Sequence, residues 1–258
     1  MKNLIILLFV CASFFQMMAQ DLSLYEKKLF IVKKDTLPYR LLLPKNYDPN
    51  KSYPLILMLH GAGERGNDNE KQLIHGSKLF LDVKNRDQYP AFVLFPQCPE
   101  NDYWSNVSAK TSADGKRIFE FQNGGSPTKA MVLVQAMLKE FIKTHKINAD
   151  QIYVGGLSMG GMGTFEIVNR NPALFAAAFP ICGGANPEIA AILKPTDWWV
   201  FHGGSDSVVP VEFSQNMVAA LNRVGAKVKF SYYPDVDHNS WDNAFAEPKL
   251  LPWLFSHK

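Results

Sequence analysis

Val154-Gly155-Gly156-Leu157-Ser158-Met159-Gly160-Gly161-Met162-Gly163 is the stretch around which the rest of the chain is read. An apolar run leads into a serine with glycine two residues away on each side. Helix-compatible spacing then follows through Thr164, Phe165, Ile167 and Val168. The pattern Gly-x-Ser-x-Gly is that of a sharp strand-to-helix turn presenting a serine hydroxyl. Such a turn strains the serine backbone, and only side-chain-free neighbours let the two arms come so close. The helix that follows would aim its free N–H groups at the same point. Short matches of this kind also arise by chance, so the strand before and the helix after are what the motif requires.

The chain outward from this turn supports that context. Pro54 to His60, Ala91 to Phe95, Phe175 to Ile181, Asp197 to His202 and Val228 to Tyr233 are apolar, strand-like runs, and Gln151 to Val154 leads into the turn. Continuous apolar runs of this length mark strands covered on both faces. Helical spacing lies between them, at Asn69 to Val83, Thr128 to Thr144, Glu188 to Leu193 and Pro210 to Val224. Trp241 to Phe255 reads as a closing helix broken by Pro248 and Pro252. Leu29 to Lys33 and Leu37 to Leu43 suggest a leading hairpin. Alternation of this sort argues for a mainly parallel sheet with helices on both faces. Glu100 to Ser126 reads as a long polar loop, and loops of such length in compact domains are usually functional or disordered.

The 258 residues fit one large domain, taken as 20–258. Hydrophobic residues are 47% of the chain, ample for a core, and the net charge of +3 is spread without a basic block, so nothing points to nucleic acid. Residues 1–19 differ in character: Lys2, then an apolar run from Leu4 to Phe15, then a small residue at Ala19. This is the pattern of a cleaved secretory signal peptide, and it predicts an exported protein, periplasmic or secreted. The apolar run is short of the ~20 residues that span a bilayer, so no stable membrane anchor is expected after cleavage. Bulky Val10 before Cys11 speaks against lipidation there.

A serine hydroxyl needs a base to become a nucleophile, and the base needs an orienting acid. Where a Gly-x-Ser-x-Gly turn is used, the partners follow in the order serine, acid, histidine, on loops after later strands. Asp206 lies in the polar turn after the strand ending near Phe201, and His238 in the loop after the strand ending at Tyr233. Taken alone, Asp206 reads as a helix cap and His238 as a solvated loop residue; their order and placement with Ser158 make the catalytic reading the stronger one. Asp235 and Asp237 are competing acids, but Asp237 adjoins the histidine and is poorly placed to face its ring. His60-Gly61-Ala62-Gly63 follows the strand where an oxyanion loop belongs, so the N–H groups of Ala62 and Met159 are the candidate donors. No Gly-Lys-Ser/Thr follows, which excludes a phosphate loop. His60 is assigned to support of the loop. His75, His145, His202 and His257 lack metal-ligand spacing and read as surface or packing residues, and no metal is expected.

Four motifs together carry a resemblance: His60-Gly61-Ala62-Gly63-Glu64-Arg65-Gly66, Pro96-Gln97-Cys98-Pro99 with Trp104 following, Gly156-Leu157-Ser158-Met159-Gly160-Gly161, and His238-Asn239-Ser240-Trp241-Asp242. From about Arg40 to Phe255 the chain resembles the secreted phospholipase/carboxylesterase-type branch of the α/β-hydrolases, similar to feruloyl-esterase-like and polyhydroxybutyrate-depolymerase-like enzymes. The resemblance implies the α/β-hydrolase fold and serine ester hydrolysis without a cofactor. It leaves the substrate open between small-molecule and polysaccharide-linked esters, acetyl or hydroxycinnamoyl esters of plant polysaccharide among them. A prolyl-oligopeptidase-like peptidase and a non-catalytic binding protein on the same fold are the rival readings. Trp104 and Trp241 are candidate substrate walls, with core packing the alternative. In the usual order of such a sheet, the strands ending at Cys98 and near Cys182 stand three steps apart, ~14 Å, so both thiols are expected free and buried.

Overall fold

Strands alternate with helices along the chain; eight strands join in one sheet and two form a separate hairpin. The computed structural model describes residues 21–112 and 117–258; the predicted leader lies outside them. The strands are β1 Tyr25–Val32, β2 Asp35–Leu42, β3 Tyr53–Leu59, β4 Phe92–Pro96, β5 Val107–Thr111, β6 Arg117–Phe121, β7 Ile147–Leu157, β8 Ala177–Ile181, β9 Asp197–Gly203 and β10 Val228–Tyr233. The helices are α1 Ser77–Leu81, α2 Val83–Gln88, α3 Lys129–Thr144, α4 Met159–Arg170, α5 Ala190–Leu193, α6 Glu212–Arg223, α7 Trp241–Ala246 and α8 Leu250–Ser256.

The main sheet has eight strands in the order β1-β2-β4-β3-β7-β8-β9-β10. The β1–β2 and β2–β4 pairs are antiparallel, and the remaining pairs are parallel. Its central strands are apolar on both sides because both sides are covered. Leu55, Leu57 and Leu59 of β3 join the core that includes α3, α4 and α6, whereas Ile56 and Met58 join the core beneath α1 and α8. Alternate residues of one strand thus enter opposite layers, as the period of two dictates. Among the described residues, no helix is long and apolar enough to cross a membrane.

Three expectations change. Asn69 to Val83 is not one helix: a 3-10 turn at Lys71–Leu73 precedes α1, and α2 follows directly. Gly76, at φ 79°, and the extended Asp82 break the run, and Asp82 caps α2 by accepting from the Asn85 N–H. The Glu100 to Ser126 segment is not simply a loop, since β5 and β6 pair as an antiparallel hairpin. The closing helix does divide, into α7 and α8, but only Pro248 falls in the break. Pro252 is the third residue of α8, where a missing N–H costs no intrahelical bond.

Strands β4 and β8 are separated by β3 and β7, so Cys98 and Cys182 sit three strand steps apart, and both are free and buried.

Candidate functional site

Adjacent parallel strands deliver the site. Leu59 of β3 pairs with Gly156 of β7, which sets the loop after β3 beside the turn after β7. Ser158 makes that turn at φ 53°, ψ −116°, a positive φ that a serine adopts only when its surroundings impose it. Its N–H donates to Ile181 O at 2.9 Å, anchoring the turn to β8. Gly160 and Gly161 are required by close approach: a Cβ on Gly160 would overlap the Leu59 carbonyl, and one on Gly161 would lie 2.5 Å from the Ile181 carbonyl. Helix α4 therefore starts pressed against the ends of β3 and β8.

Two further loops complete the arrangement. Gly204 N–H donates to Tyr233 O and Ser205 N–H to Val236 O, so the turns after β9 and β10 are bonded to each other. His238 Nε2 lies 2.9 Å from Ser158 Oγ, and His238 Nδ1 lies 2.8 Å from Asp206 Oδ2 and 3.0 Å from Oδ1. Asp206 Oδ1 also accepts the Val208 and Val209 N–H groups. Burial alone would raise the Asp206 carboxyl, but hydrogen bonds from His202, His238 and Val209 outweigh it and hold the group well below the usual carboxylate range. An ionised carboxylate on Nδ1–H leaves Nε2 free to accept the serine proton. Asp237 does not compete: its carboxylate takes the Ser207 N–H and hydroxyl and the N–H of His238.

Ala62 opens the 3-10 turn Ala62–Glu64, and Met159 opens α4. First-turn N–H groups have no intrahelical acceptor, so both positions can donate to an oxygen held between the two loops. His60 supports the first loop from beneath. Its buried ring donates from Nδ1 to Gly61 O at 2.6 Å and accepts the Cys98 N–H on Nε2 at 2.9 Å.

The two tryptophans part company. Trp104 is 0% exposed, donates its indole N–H to His60 O and packs on Gly163, so it is core beneath the loop and not a substrate wall. Its position after the Pro99 turn carried no signal of depth, because aromatic pocket lining and aromatic core share one residue type. Trp241 is half-buried and meets the His238 ring edge-on at 5.3 Å, and the His75 ring lies tilted against it at 5.0 Å. The β5–β6 hairpin lays Phe119 and Phe121 against Phe213, Val209, Val208, Met162 and Tyr103, which packs it on the acid turn.

His202 was expected to be a packing or surface residue. Its side chain is fully buried, as packing requires, and beyond packing its Nε2 lies 3.1 Å from Asp206 Oδ2. The usable signal was its place as the last apolar-strand residue, four before the acid. Cys182, Asp206 and His238 also have donor atoms within 4.8 Å of one another. Burial and the neighbouring Asp206 charge push the Cys182 thiol up, so it keeps its proton and is a poor metal ligand there.

Residues 48–249 match the model of the phospholipase/carboxylesterase family. The chain belongs to that family. The matched range includes the loop after β3, the elbow, the acid turn and the histidine loop, and the fold is that of the α/β-hydrolases. Acyl-protein thioesterase 1 of Debaryomyces hansenii is 26% identical over 216 residues, 74% of this chain and 87% of that protein. A probable feruloyl esterase C of Aspergillus oryzae is 24% identical over 67% of this chain and 56% of its own length. A solved thermostable esterase superposes with a TM-score of 0.81 at 34% identity, over 91% of this chain. The chain spans 63% of that esterase. Carboxylic ester hydrolysis is the activity class of this family member.

Proposed function

We propose that the protein is an exported serine esterase in which Ser158 is the nucleophile, His238 the base and acid, and Asp206 the group that orients His238. The observation that carries this reading is the continuous hydrogen-bonded run from Ser158 Oγ through His238 to Asp206. Ser158 Oγ attacks the ester carbonyl while its proton passes to His238 Nε2. The Ala62 and Met159 N–H groups hold the oxyanion, and the protonated His238 delivers its proton to the departing alkoxide. Water then attacks the acyl-enzyme by the same route in reverse, so no cofactor enters the cycle.

The substrate class we propose is an acetyl or hydroxycinnamoyl ester of plant polysaccharide. Its support is the similarity to a probable feruloyl esterase, together with Trp241 against the His238 ring and the hairpin aromatics packed on Val208 and Val209 beside Asp206. A leader-like N-terminus supports export. Purified protein is assayed on p-nitrophenyl acetate, methyl ferulate and a proline-containing peptide amide, with fluorophosphonate labelling located by peptide mapping. The expected outcome is label on Ser158, ester turnover with negligible amide turnover, and loss of about a thousandfold or more in kcat for Ser158→Ala. Fast amide cleavage without ester turnover would make it a peptidase, and an unlabelled Ser158 would make it a binding protein.

A further inference from the structure

The Asp206 carboxylate holds one more donor than a serine–histidine–acid arrangement needs. Oδ1 takes the Val208 and Val209 N–H groups, His238 Nδ1 reaches both oxygens, and His202 Nε2 stands 3.1 Å from Oδ2. His202 Nε2 also lies 2.9 Å from Val209 O. Both neighbours of that nitrogen are acceptors, so it carries a hydrogen, which the two share. The other end of the ring is clamped as well: Nδ1 lies 2.7 Å from Ser214 Oγ, which is 2.8 Å from Gly183 O. The ring is thus tied to the turn after β9, to α6 and to the loop after β8. Packing alone would be served by an apolar side chain, without burying two ring nitrogens.

We propose that His202 is a positioning residue for the reaction: its Nε2–H fixes Asp206 Oδ2 and draws off part of its charge, and so sets how strongly His238 holds a proton. Asp206 lies between two imidazoles that have different duties. His238 is 17% exposed and faces Ser158, whereas the His202 side chain is sealed. Removing the His202 N–H leaves Asp206 more negative toward His238, whose proton is then held to higher pH. The other groups around the pair are the Cys182 thiol, the Asp237 carboxylate bound by Ser207, and the Trp241 ring. They are unchanged in the variants and act equally on every profile.

The inference rests on the catalytic reading of Ser158, Asp206 and His238. Wild type, Ser158→Ala, His202→Leu, His202→Gln and His202→Asn are compared for kcat and KM on p-nitrophenyl acetate across pH, with fluorophosphonate labelling rate and thermal melting. His202→Leu is expected to lower kcat by about ten- to a hundredfold with KM nearly unchanged. Its acid limb in kcat/KM moves to higher pH. His202→Gln, which keeps an N–H near the Nε2 position, recovers most of kcat and the position of that limb. Wild-type kcat and acid limb in His202→Leu, or equal damage in Leu and Gln, would overturn the proposal and leave His202 a packing residue. Should His202→Leu not fold, His202→Asn decides in its place: its shorter amide stops near the Nδ1 position and leaves Oδ2 without the N–H, so a wild-type acid limb counts against the proposal and a limb moved to higher pH supports it. Full turnover by Ser158→Ala would instead refute the catalytic reading itself.

Discussion

His60 is a buried imidazole whose surroundings hold it neutral. Burial pushes its imidazole down from 6.5 to about 4, against the opposing pull of the Gly61 carbonyl. The folded protein therefore keeps the neutral Nδ1–H form, with Nε2 accepting from Cys98. As pH falls below about 6.5 the unfolded chain takes up a proton that the folded one refuses, so stability is lost progressively until about pH 4 and then levels. A difference of that size corresponds to roughly 3 kcal/mol. Denaturant unfolding between neutral pH and pH 4 is expected to show this decline, and His60→Gln to flatten part of it at the cost of lower stability near neutrality. An equally steep decline in the variant would place its origin elsewhere. Sequence had assigned His60 to loop support from its position beside Gly61, but not the two bonds that enforce one tautomer, because Cys98 is remote in the chain.

At the scale of elements, the start of α4 and the β5–β6 hairpin obey different constraints. Gly160 lies where the helix crosses the end of β3, and a methyl there meets the Leu59 carbonyl, which is backbone and cannot swing aside. Gly160→Ala is expected to lower stability by about 3 kcal/mol, at the upper end of overpacking costs, and to reduce fluorophosphonate labelling by displacing Ser158. Chemical denaturation with the labelling rate measures both, and an unaltered midpoint would contradict the contact. The hairpin packs Phe119 and Phe121 on Val208, Val209 and Phe213 beside the acid turn. Replacing Val107–Phe121 with a short glycine-serine connection should leave acetate ester turnover within about threefold while lowering kcat/KM for methyl ferulate by tenfold or more, the scale of losing apolar contacts to an aromatic group. Equal losses on both esters would mean that the hairpin supports the catalytic loops instead. Its strands were not legible: β5 is short and largely exposed, and in β6 the alternation toward a core is carried by Phe119 and Phe121 alone, too few positions to mark a period of two.

For the whole molecule, strand order decides the fate of the thiols. With β3 and β7 between β4 and β8, Cys98 and Cys182 cannot pair, and burial pushes both thiols up. In native protein neither should react with a water-soluble disulfide reagent, both should react after unfolding in denaturant, and a reductant should leave the melting temperature unchanged. A bridge between them, seen by mass spectrometry of peptides, would require a different order of strands.

The sequence by itself determined the parallel sheet, the elbow at Ser158 and the chain order of Asp206 and His238. These follow from local rules: apolar runs need two covered faces, a Gly-x-Ser-x-Gly turn needs missing side chains, and strand ends present loops. Only the tertiary structure decided depth and company. It sent Trp104 beneath the loop after β3 and left Trp241 against His238, although both are tryptophans in polar surroundings of sequence. It also brought His202 onto the buried oxygen of Asp206. Those outcomes depend on which layers close over a side chain, and closure is set by other elements, α6 over His202 and α4 over Trp104, whose approach no local pattern records.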